Sequence, residues 1–179
     1  MAVRIGAEGI TYLSGTGTPT TPTGGKIGNG TNGGNFNSVY SAVWNDYVDA
    51  IPVDNDVDII PGYCYSFDGE NYHKAQTYMD KTFIGIESDT YGQGIGFRDQ
   101  KLLHVPVAGF VLAYVDKEYP VGTPLTTAAD GKLTNILPAD KAANPECIVA
   151  TYWKKEDKEF ITDGSKKVFV NGRTWVKVK

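Results

Sequence analysis

The sequence predicts an all-β fold, a compact barrel or sandwich of about seven or more strands behind an extended N-terminal arm. Short runs rich in Val, Ile and Tyr alternate between apolar and polar residues, which is the period of a strand. Asp-Gly and Asn-Gly pairs separate many of these runs and are typical of hairpin turns. The first 37 residues differ in composition. We therefore expect an arm over residues 1–37 and a β domain over residues 38–179.

The arm is recognised by its glycine and threonine content. It holds ten of the 21 glycines, seven threonines and only three charged residues. Such a chain costs much conformational entropy to order and offers little apolar surface, so it cannot form its own core. We expect it to lie extended on a partner protein, with the stretch from Ser14 to Gly25 irregular. Its apolar residues are the predicted partner-binding positions: Val3, Ile5, Ile10, Tyr12, Leu13, Ile27 and Phe36.

The β domain opens with a segment whose pattern is ambiguous. The apolar spacing over residues 39–52 fits a short helix or an irregular strand, which Pro52 ends. A group of carboxylates lies in and after this segment: Asp46, Asp49, Asp54, Asp56 and Asp58. Their spacing does not match a calcium loop, which needs a glycine turn and a bidentate Glu. We predict a solvated acidic rim.

The next segments predict a hairpin and a buried strand. Residues 63–67 and 71–75 alternate on either side of Asp68-Gly69, which predicts a hairpin. Residues 82–87 form a short apolar run typical of a buried strand. Residues 88–97 are predicted to be a glycine-rich loop.

The longest apolar run, residues 102–115, predicts a core strand. It is rich in β-branched residues, and Pro106 and Gly109 indicate a bend or bulge. Further strands are predicted over residues 125–129, 132–136 and 147–153, with a turn at Asp130-Gly131 between the first two. A closing meander is predicted over residues 159–179, with turns at Asp163-Gly164 and Asn171-Gly172.

Charge and hydropathy exclude several classes of protein. Seventeen Lys and Arg stand against 21 Asp and Glu, without a basic stripe for a phosphate backbone, so nucleic acid is not an expected partner. Because no apolar run approaches the roughly 20 residues of a membrane span, we expect no membrane insertion. The first residues lack the long apolar region of a secretory signal, so we expect synthesis in a cytoplasm.

Neither a metal nor a cofactor is expected. Cys64 and Cys147 are far apart in sequence, and only His73 and His104 could complete a zinc site, so two buried free thiols are the preferred interpretation. The glycines of residues 92–96 resemble a phosphate loop, but no helix pattern follows them to supply the N-terminus that such a loop needs.

Catalysis is not expected either. Ser88-Asp89 could be combined with His73 or His104 into a hydrolase triad, but no GxSxG elbow is present, and a surface serine with a satisfied histidine is preferred. The one chemical alternative is an autoproteolytic acyl shift at Asn37-Ser38, where the hydroxyl would attack the preceding carbonyl. We favour an ordinary polar junction there.

Several segments together resemble a known family. They are Ser41-Ala-Val-Trp-Asn-Asp-Tyr-Val-Asp, Pro61-Gly-Tyr-Cys-Tyr-Ser-Phe-Asp-Gly, Phe83-Ile-Gly-Ile-Glu-Ser-Asp-Thr, Val105-Pro-Val-Ala-Gly-Phe-Val-Leu-Ala-Tyr-Val and Val121-Gly-Thr-Pro-Leu-Thr-Thr-Ala-Ala-Asp-Gly-Lys-Leu. Their order resembles the β domain at the C-terminus of tailed-bacteriophage appendage and fibre proteins, which acts as an intramolecular chaperone and often cleaves itself off. The Val-Gly-Thr-Pro-Leu and Ala-Asp-Gly-Lys-Leu pieces also resemble small phage head-decoration proteins. Where the appendage family tends to carry an arginine after the glycine of the long strand, this chain has Phe110, and no catalytic residue is carried over.

The resemblance implies a non-enzymatic virion protein of a tailed phage. We expect a capsid decoration or head-fibre subunit, anchored to capsid or other virion proteins by its arm and forming a homo-oligomer in the virion. A tail, neck or baseplate protein is an alternative, as is a self-cleaving chaperone domain of a phage appendage. A carbohydrate-binding module is a further alternative, suggested by eleven tyrosines and three tryptophans.

Overall fold

The computed structural model describes residues 2–6, 9–13, 46–91, 93–96, 101–163 and 166–179. Contacts within the chain divide it into two units, residues 1–41 and residues 42–179. The predicted boundary at Asn37-Ser38 and the irregular stretch from Ser14 to Gly25 lie outside the described residues.

The described part of the first unit is a two-stranded antiparallel ribbon. Strands β1 (Ala2–Gly6) and β2 (Gly9–Leu13) pair along their whole length. Thus part of the predicted arm is a ribbon rather than a single extended chain.

The second unit is built mainly of strands, as predicted. They are β3 (Asp46–Pro52), β4 (Cys64–Phe67), β5 (Tyr72–Lys74), β6 (Phe83–Ile86), β7 (Gln93–Gly96), β8 (Leu102–Ala113), β9 (Pro124–Thr127), β10 (Leu133–Asn135), β11 (Ala150–Lys155), β12 (Phe160–Asp163), β13 (Lys166–Phe169) and β14 (Thr174–Val178). One short helix, α1 (Pro138–Ala143), lies between β10 and β11. Among the described residues, no helix is both long and apolar enough to cross a membrane.

The largest sheet has seven strands in the order β10-β9-β11-β14-β8-β3-β7. The pairing of β3 with β7 is parallel, and the other pairings are antiparallel. Strand β8 joins the two halves of this sheet, because β3 pairs with its first part and β14 with its last part.

The predicted bend in the long apolar strand is confirmed. The register of β3 against β8 shifts between Tyr47, which faces Ala108, and Val48, which faces Pro106. Val107 is left over as the extra residue of a bulge, next to a proline that has no N–H to donate to the ladder. Gly109 follows with a φ of 112°, a conformation that L residues rarely adopt.

A three-stranded sheet, in the order β5-β4-β6, packs on one face of the seven-stranded sheet. The main apolar core between them consists of Cys64, Ala75, Ile86, Val111, Ala113, Leu125, Leu133, Ala150, Tyr152 and Val176. The sheets approach so closely that a Cβ atom on Gly85 would lie 2.2 Å from Cγ1 of Val105. Glycine is therefore required at position 85 by packing. Val53, Tyr65, Leu103 and Val105 form a second buried cluster.

The ribbon formed by β12 and β13 covers the opposite face of the large sheet. Val168 and Val170 are buried against Leu112 and Trp175, with Ile161 beside them. Leu112 and Trp175 alternate along their strands with Val111 and Val176 of the main core, so the large sheet carries apolar layers on both faces.

Two expectations need correction, and one open alternative is decided. Residues 93–96 form strand β7, although residues 88–97 are predicted to be a loop. Asn171-Gly172 is a turn, but it does not close a hairpin, because β13 pairs with β12 whereas β14 lies between β11 and β8. The ambiguous segment before Pro52 is a strand over residues 46–52.

Candidate functional site

The predicted partner-binding residues of the arm fall partly on the β1–β2 ribbon. Val3 lies opposite Tyr12 in the register, Ile5 lies opposite Ile10, and Leu13 lies opposite Ala2. Opposed residues of antiparallel strands share a face of the ribbon, so the Val3–Tyr12 and Ile5–Ile10 pairs occupy positions on one face. The two remaining predicted positions, Ile27 and Phe36, lie outside the described residues.

The densest group of polar side chains lies elsewhere, around residues 87–91, directly after strand β6. Ser88 and Thr90 are buried there, with 1% and 2% of their surface exposed. The Ser88 hydroxyl donates to Oδ2 of Asp46, and the Thr90 N–H donates to Oγ of Ser88 over 3.1 Å. Thr90 Oγ1 lies 3.4 Å from the second carboxylate oxygen of Asp46. The group thus ties the 87–91 segment to the start of β3.

The neighbouring Glu87 binds strand β8 through its carboxylate. Oε2 accepts the backbone N–H of His104 over 2.6 Å, and Oε1 lies 3.2 Å from His104 Nδ1. Burial raises the pKa of Glu87 above its ordinary value, and the hydrogen bonds from His104 oppose that shift. The His104 ring stacks on Tyr91 with 4.7 Å between the ring centroids.

A third tie runs from Asp89 to the buried Arg173, which precedes β14. The guanidinium donates from Nη1 and Nη2 to the two Asp89 oxygens, over 2.7 and 3.0 Å. It also donates from Nε to the Val170 carbonyl over 3.1 Å, and from Nη2 to the carbonyl of Phe169. This fork geometry is specific to arginine. The 87–91 segment is therefore fixed to strands β3 and β8 and to the residue that precedes β14.

These contacts correct two expectations. Asp46 is 5% exposed and forms part of this network, so it does not belong to the solvated acidic rim, whereas Asp49, Asp54, Asp56 and Asp58 are exposed. Ser88 is buried and is not a surface serine. In the sequence, the only indication of this network is that four polar residues, Glu87 to Thr90, directly follow a buried strand.

The side chains considered for a catalytic triad form hydrogen bonds with other groups, although the backbone N–H of Ser88 donates to the His104 carbonyl over 3.0 Å. The side chain of Ser88 contacts Asp46 and Thr90, whereas the ring of His104 contacts Glu87. His73 lies on the β4–β5 hairpin, with Nδ1 3.0 Å from the Lys74 carbonyl oxygen. The geometry of the network serves to hold backbone segments in place by hydrogen bonding.

The two cysteines are free and buried, as the preferred interpretation has it. Burial raises the pKa of the Cys64 thiol far above its ordinary value, so it stays protonated and packs as an apolar group in the main core. Within the described ranges, no group of three or more His, Cys, Asp or Glu residues is placed to hold a metal ion.

Aromatic side chains are exposed on the side of the domain that carries the β12–β13 ribbon. Trp153 is 44% exposed, and its ring lies 5.2 Å from that of Phe110. On the ribbon, Phe160 and Phe169 are paired in register, and Lys167 Nζ lies 3.6 Å from the Phe160 ring centroid. These rings offer apolar contact area beside a cation.

Comparison with known proteins adds no relative: no family model, no curated protein and no solved structure matches the chain.

Proposed function

We propose that the chain is a structural protein of a tailed-phage virion, namely a capsid decoration or head-fibre subunit whose N-terminal arm anchors it to the capsid. The observation that carries the proposal is the β1–β2 ribbon, in which Val3 faces Tyr12 and Ile5 faces Ile10. An isolated two-stranded ribbon is marginally stable in water. Burial of these apolar pairs against another protein would therefore stabilise the ribbon.

The core of the β domain supports the same assignment. Its three apolar clusters are formed by residues between Ile51 and Val178. Among the residues that the structure describes, the domain therefore has a core of its own, and we assign the apolar residues of the arm to a partner. The Gly- and Thr-rich chain between the ribbon and the domain suits a tether.

The family resemblance supplies the kind of partner. Its motif segments fall on structural elements of the β domain: 61–69 on β4 and its turn, 83–90 on β6 and the polar network, 105–115 on β8, and 121–133 around β9. Attachment by a short ribbon gains strength when several copies bind at once, and a homo-oligomer on a symmetric capsid provides this avidity.

A binding assay with phage heads that lack this protein tests the proposal. The full chain should co-sediment with the heads, and residues 38–179 should not, because the arm is removed. Residues 1–37 fused to an unrelated soluble carrier should bind weakly, and better when the carrier is oligomeric. If the truncated domain binds as well as the full chain, the arm is not the anchor.

Point variants in the ribbon test whether its apolar residues bind the phage head. Ile5→Asp with Ile10→Asp places charge at one register pair, and we expect binding to fall by at least about tenfold, since each buried charge costs more than about 1.4 kcal/mol. Thr11→Asp, opposite Arg4 at the alternate position, is the matched control and should bind like the parent. The mass of the bound protein should be that of the full chain; a dominant fragment beginning at Ser38 would instead favour a self-cleaving chaperone domain.

A further inference from the structure

Charge is unevenly distributed along the sequence of the β domain. Residues 46–73 contain seven Asp and Glu and no Lys or Arg. Residues 154–179 contain eight Lys and Arg against four Asp and Glu, a formal net charge of +4. The whole chain has a net charge of only −4, so the imbalance is a separation of opposite charges rather than an overall excess.

An acidic surface, defined by Asp49, Asp54, Asp56 and Asp58, lies where β3 ends and the following loop begins. All four side chains are exposed. Of these four carboxylates, only Asp58 forms an ion pair within the described parts of the chain. Its partner is Lys74, whose Nζ lies 3.4 Å away. The Nζ of Lys101 donates to the carbonyl of Asn55 in the same loop, so this surface carries one more lysine beside its carboxylates. Ile95, the register partner of Asp49 on β7, adds an apolar side chain that is 57% exposed.

A basic surface, defined by Lys154, Lys167 and Lys177, lies on the side of the domain covered by the β12–β13 ribbon. Lys154 is paired in register with Trp175, and Lys177 with Phe110, so both flank the same face. All three lysines are exposed. Two carboxylates lie nearby: Glu118 binds Lys155, and Glu156 accepts the indole N–H of Trp175 and also interacts electrostatically with Lys154. The exposed ring of Trp153 supplies apolar area.

The two surfaces lie near opposite ends of strand β8. Pro52, at the start of the acidic loop, faces Leu102, and Lys177 faces Phe110. Eight residues of strand separate Leu102 from Phe110, and five separate Val105, the register partner of Asp49, from Phe110, which corresponds to roughly 16 to 26 Å along the strand. The separation exceeds the screening length at physiological salt, so the surfaces cannot neutralise one another within one molecule.

We propose that these surfaces bind each other between molecules, so that the acidic surface of one copy of the chain docks on the basic surface of the next. The partner is a second copy because each copy carries both charges, each next to an exposed apolar side chain. Such a contact joins different patches on the two copies, which is a head-to-tail arrangement; it forms a ring if the rotation closes. The inference does not depend on the proposed phage function, since it concerns the purified chain alone.

Sedimentation velocity of the full chain tests the proposal. The weight-average sedimentation coefficient should rise with protein concentration at about 20 mM salt, and the dissociation constant should weaken at least about tenfold by about 300 mM salt, where screening is strong. Two charge-reversed variants should stay monomeric. They are the acid-reversed variant (Asp49→Lys, Asp54→Lys, Asp56→Lys) and the base-reversed variant (Lys154→Glu, Lys167→Glu, Lys177→Glu). All six positions are exposed, so circular dichroism should match that of the parent.

Mixing the two variants gives the decisive result. An equimolar mixture again brings opposite charges together at each contact, so association should return. The control is Lys81→Glu with Lys117→Glu and Lys141→Glu, which makes the same change in net charge as the base-reversed variant at three exposed lysines other than those that define the basic surface, and it should associate like the parent.

Three results would overturn the proposal: a parent that stays monomeric at every concentration, an association that survives either reversal, or a mixture that fails to associate. Loss of association in the control would also overturn it, because net charge alone would then explain the effect. If only an added anionic polymer binds the basic surface while the chain stays monomeric, the basic surface serves another partner.

Discussion

Single buried polar residues of the β domain each hold two segments of chain in place. Tyr65 shows this most simply: its hydroxyl donates to the Asp58 carbonyl and accepts the Ile60 N–H, both over 2.8 Å. Burial raises the pKa of Tyr65 to about 12, so the hydroxyl keeps its proton and remains a donor at neutral pH. The loop that carries the acidic surface is thereby pinned to the second apolar cluster.

A second single residue, Glu87, leads to a prediction about how the stability of the chain depends on pH. Its pKa in the folded state is raised above the ordinary 4.5, so the folded chain holds this proton more tightly than the unfolded chain. The contribution of Glu87 to the free energy of unfolding should therefore fall as pH rises from about 4.5 through the raised folded pKa. Glu87→Gln cannot ionise, and its amide oxygen can still accept the His104 N–H. The melting temperature of the variant minus that of the parent should rise over this pH window and then level off.

Thermal melts at a series of pH values check the Glu87 prediction. Glu70→Gln is the control, because Glu70 lies on the exposed turn of the β4–β5 hairpin, and its difference from the parent should show no such rise. A constant difference between Glu87→Gln and the parent would mean that this carboxyl ionises alike in the folded and unfolded chains.

At the scale of elements, the turn between β13 and β14 links the ribbon to the centre of the large sheet. Asn171 has a φ of 51° and Gly172 a φ of 77°, so both adopt the left-handed conformation. A Cβ atom on Gly172 would meet nothing within 4 Å, so a substitution there acts through the backbone alone. Arg173 follows directly, and its place in the polar network depends on this turn.

We expect Gly172→Val to lower the free energy of unfolding by about 1–3 kcal/mol, because a β-branched residue is strained at positive φ. Gly172→Asn should cost much less, since Asn tolerates this conformation. Urea titrations of both variants and the parent measure the difference. Equal midpoints for Val and Asn would show that the turn relaxes to another conformation at no cost.

The elements that the sequence predicted well are those with local signals. The hairpin around Asp68-Gly69 is confirmed. It could be predicted from sequence because its turn residues and both alternating strands lie within 13 residues. The turn at Asp130-Gly131 is also confirmed, with φ values of 72° and 78°, and its signal is likewise local in sequence. Strand β7 was missed because two of its four residues are glycines and its partner β3 is distant in sequence.

The candidate sites were harder to predict than the strands. The Asp46–Ser88 contact joins residues 42 positions apart, and the Asp89–Arg173 pair joins residues 84 positions apart. No local pattern reports such pairs, because sheet topology brings them together. Composition did mark the arm, and the register of Val3, Ile5, Ile10 and Tyr12 within it became visible only from strand pairing.

At the scale of the whole molecule, the described core of the β domain consists of apolar layers on both faces of the large sheet. The main core lies between the large sheet and the β5-β4-β6 sheet, and the β12–β13 ribbon closes the opposite face. Strand β14 is central to both layers: Val176 is buried in the main core, and Trp175 is buried beneath the ribbon. Stability of the domain should therefore depend on its C-terminal strand far more than on the arm.

Two truncations test this dependence. Residues 38–179 should fold alone, with β-type circular dichroism and a cooperative melt within a few degrees of the full chain, because this truncation keeps all three described apolar clusters. Deletion of residues 160–179 should abolish the cooperative melt, because it takes β14 from between β11 and β8 and exposes both apolar layers. If the chain without residues 1–37 instead melts without cooperativity, the arm must complete the core of the domain. The ribbon would then be a structural strand pair, and a partner would have to bind the β domain itself.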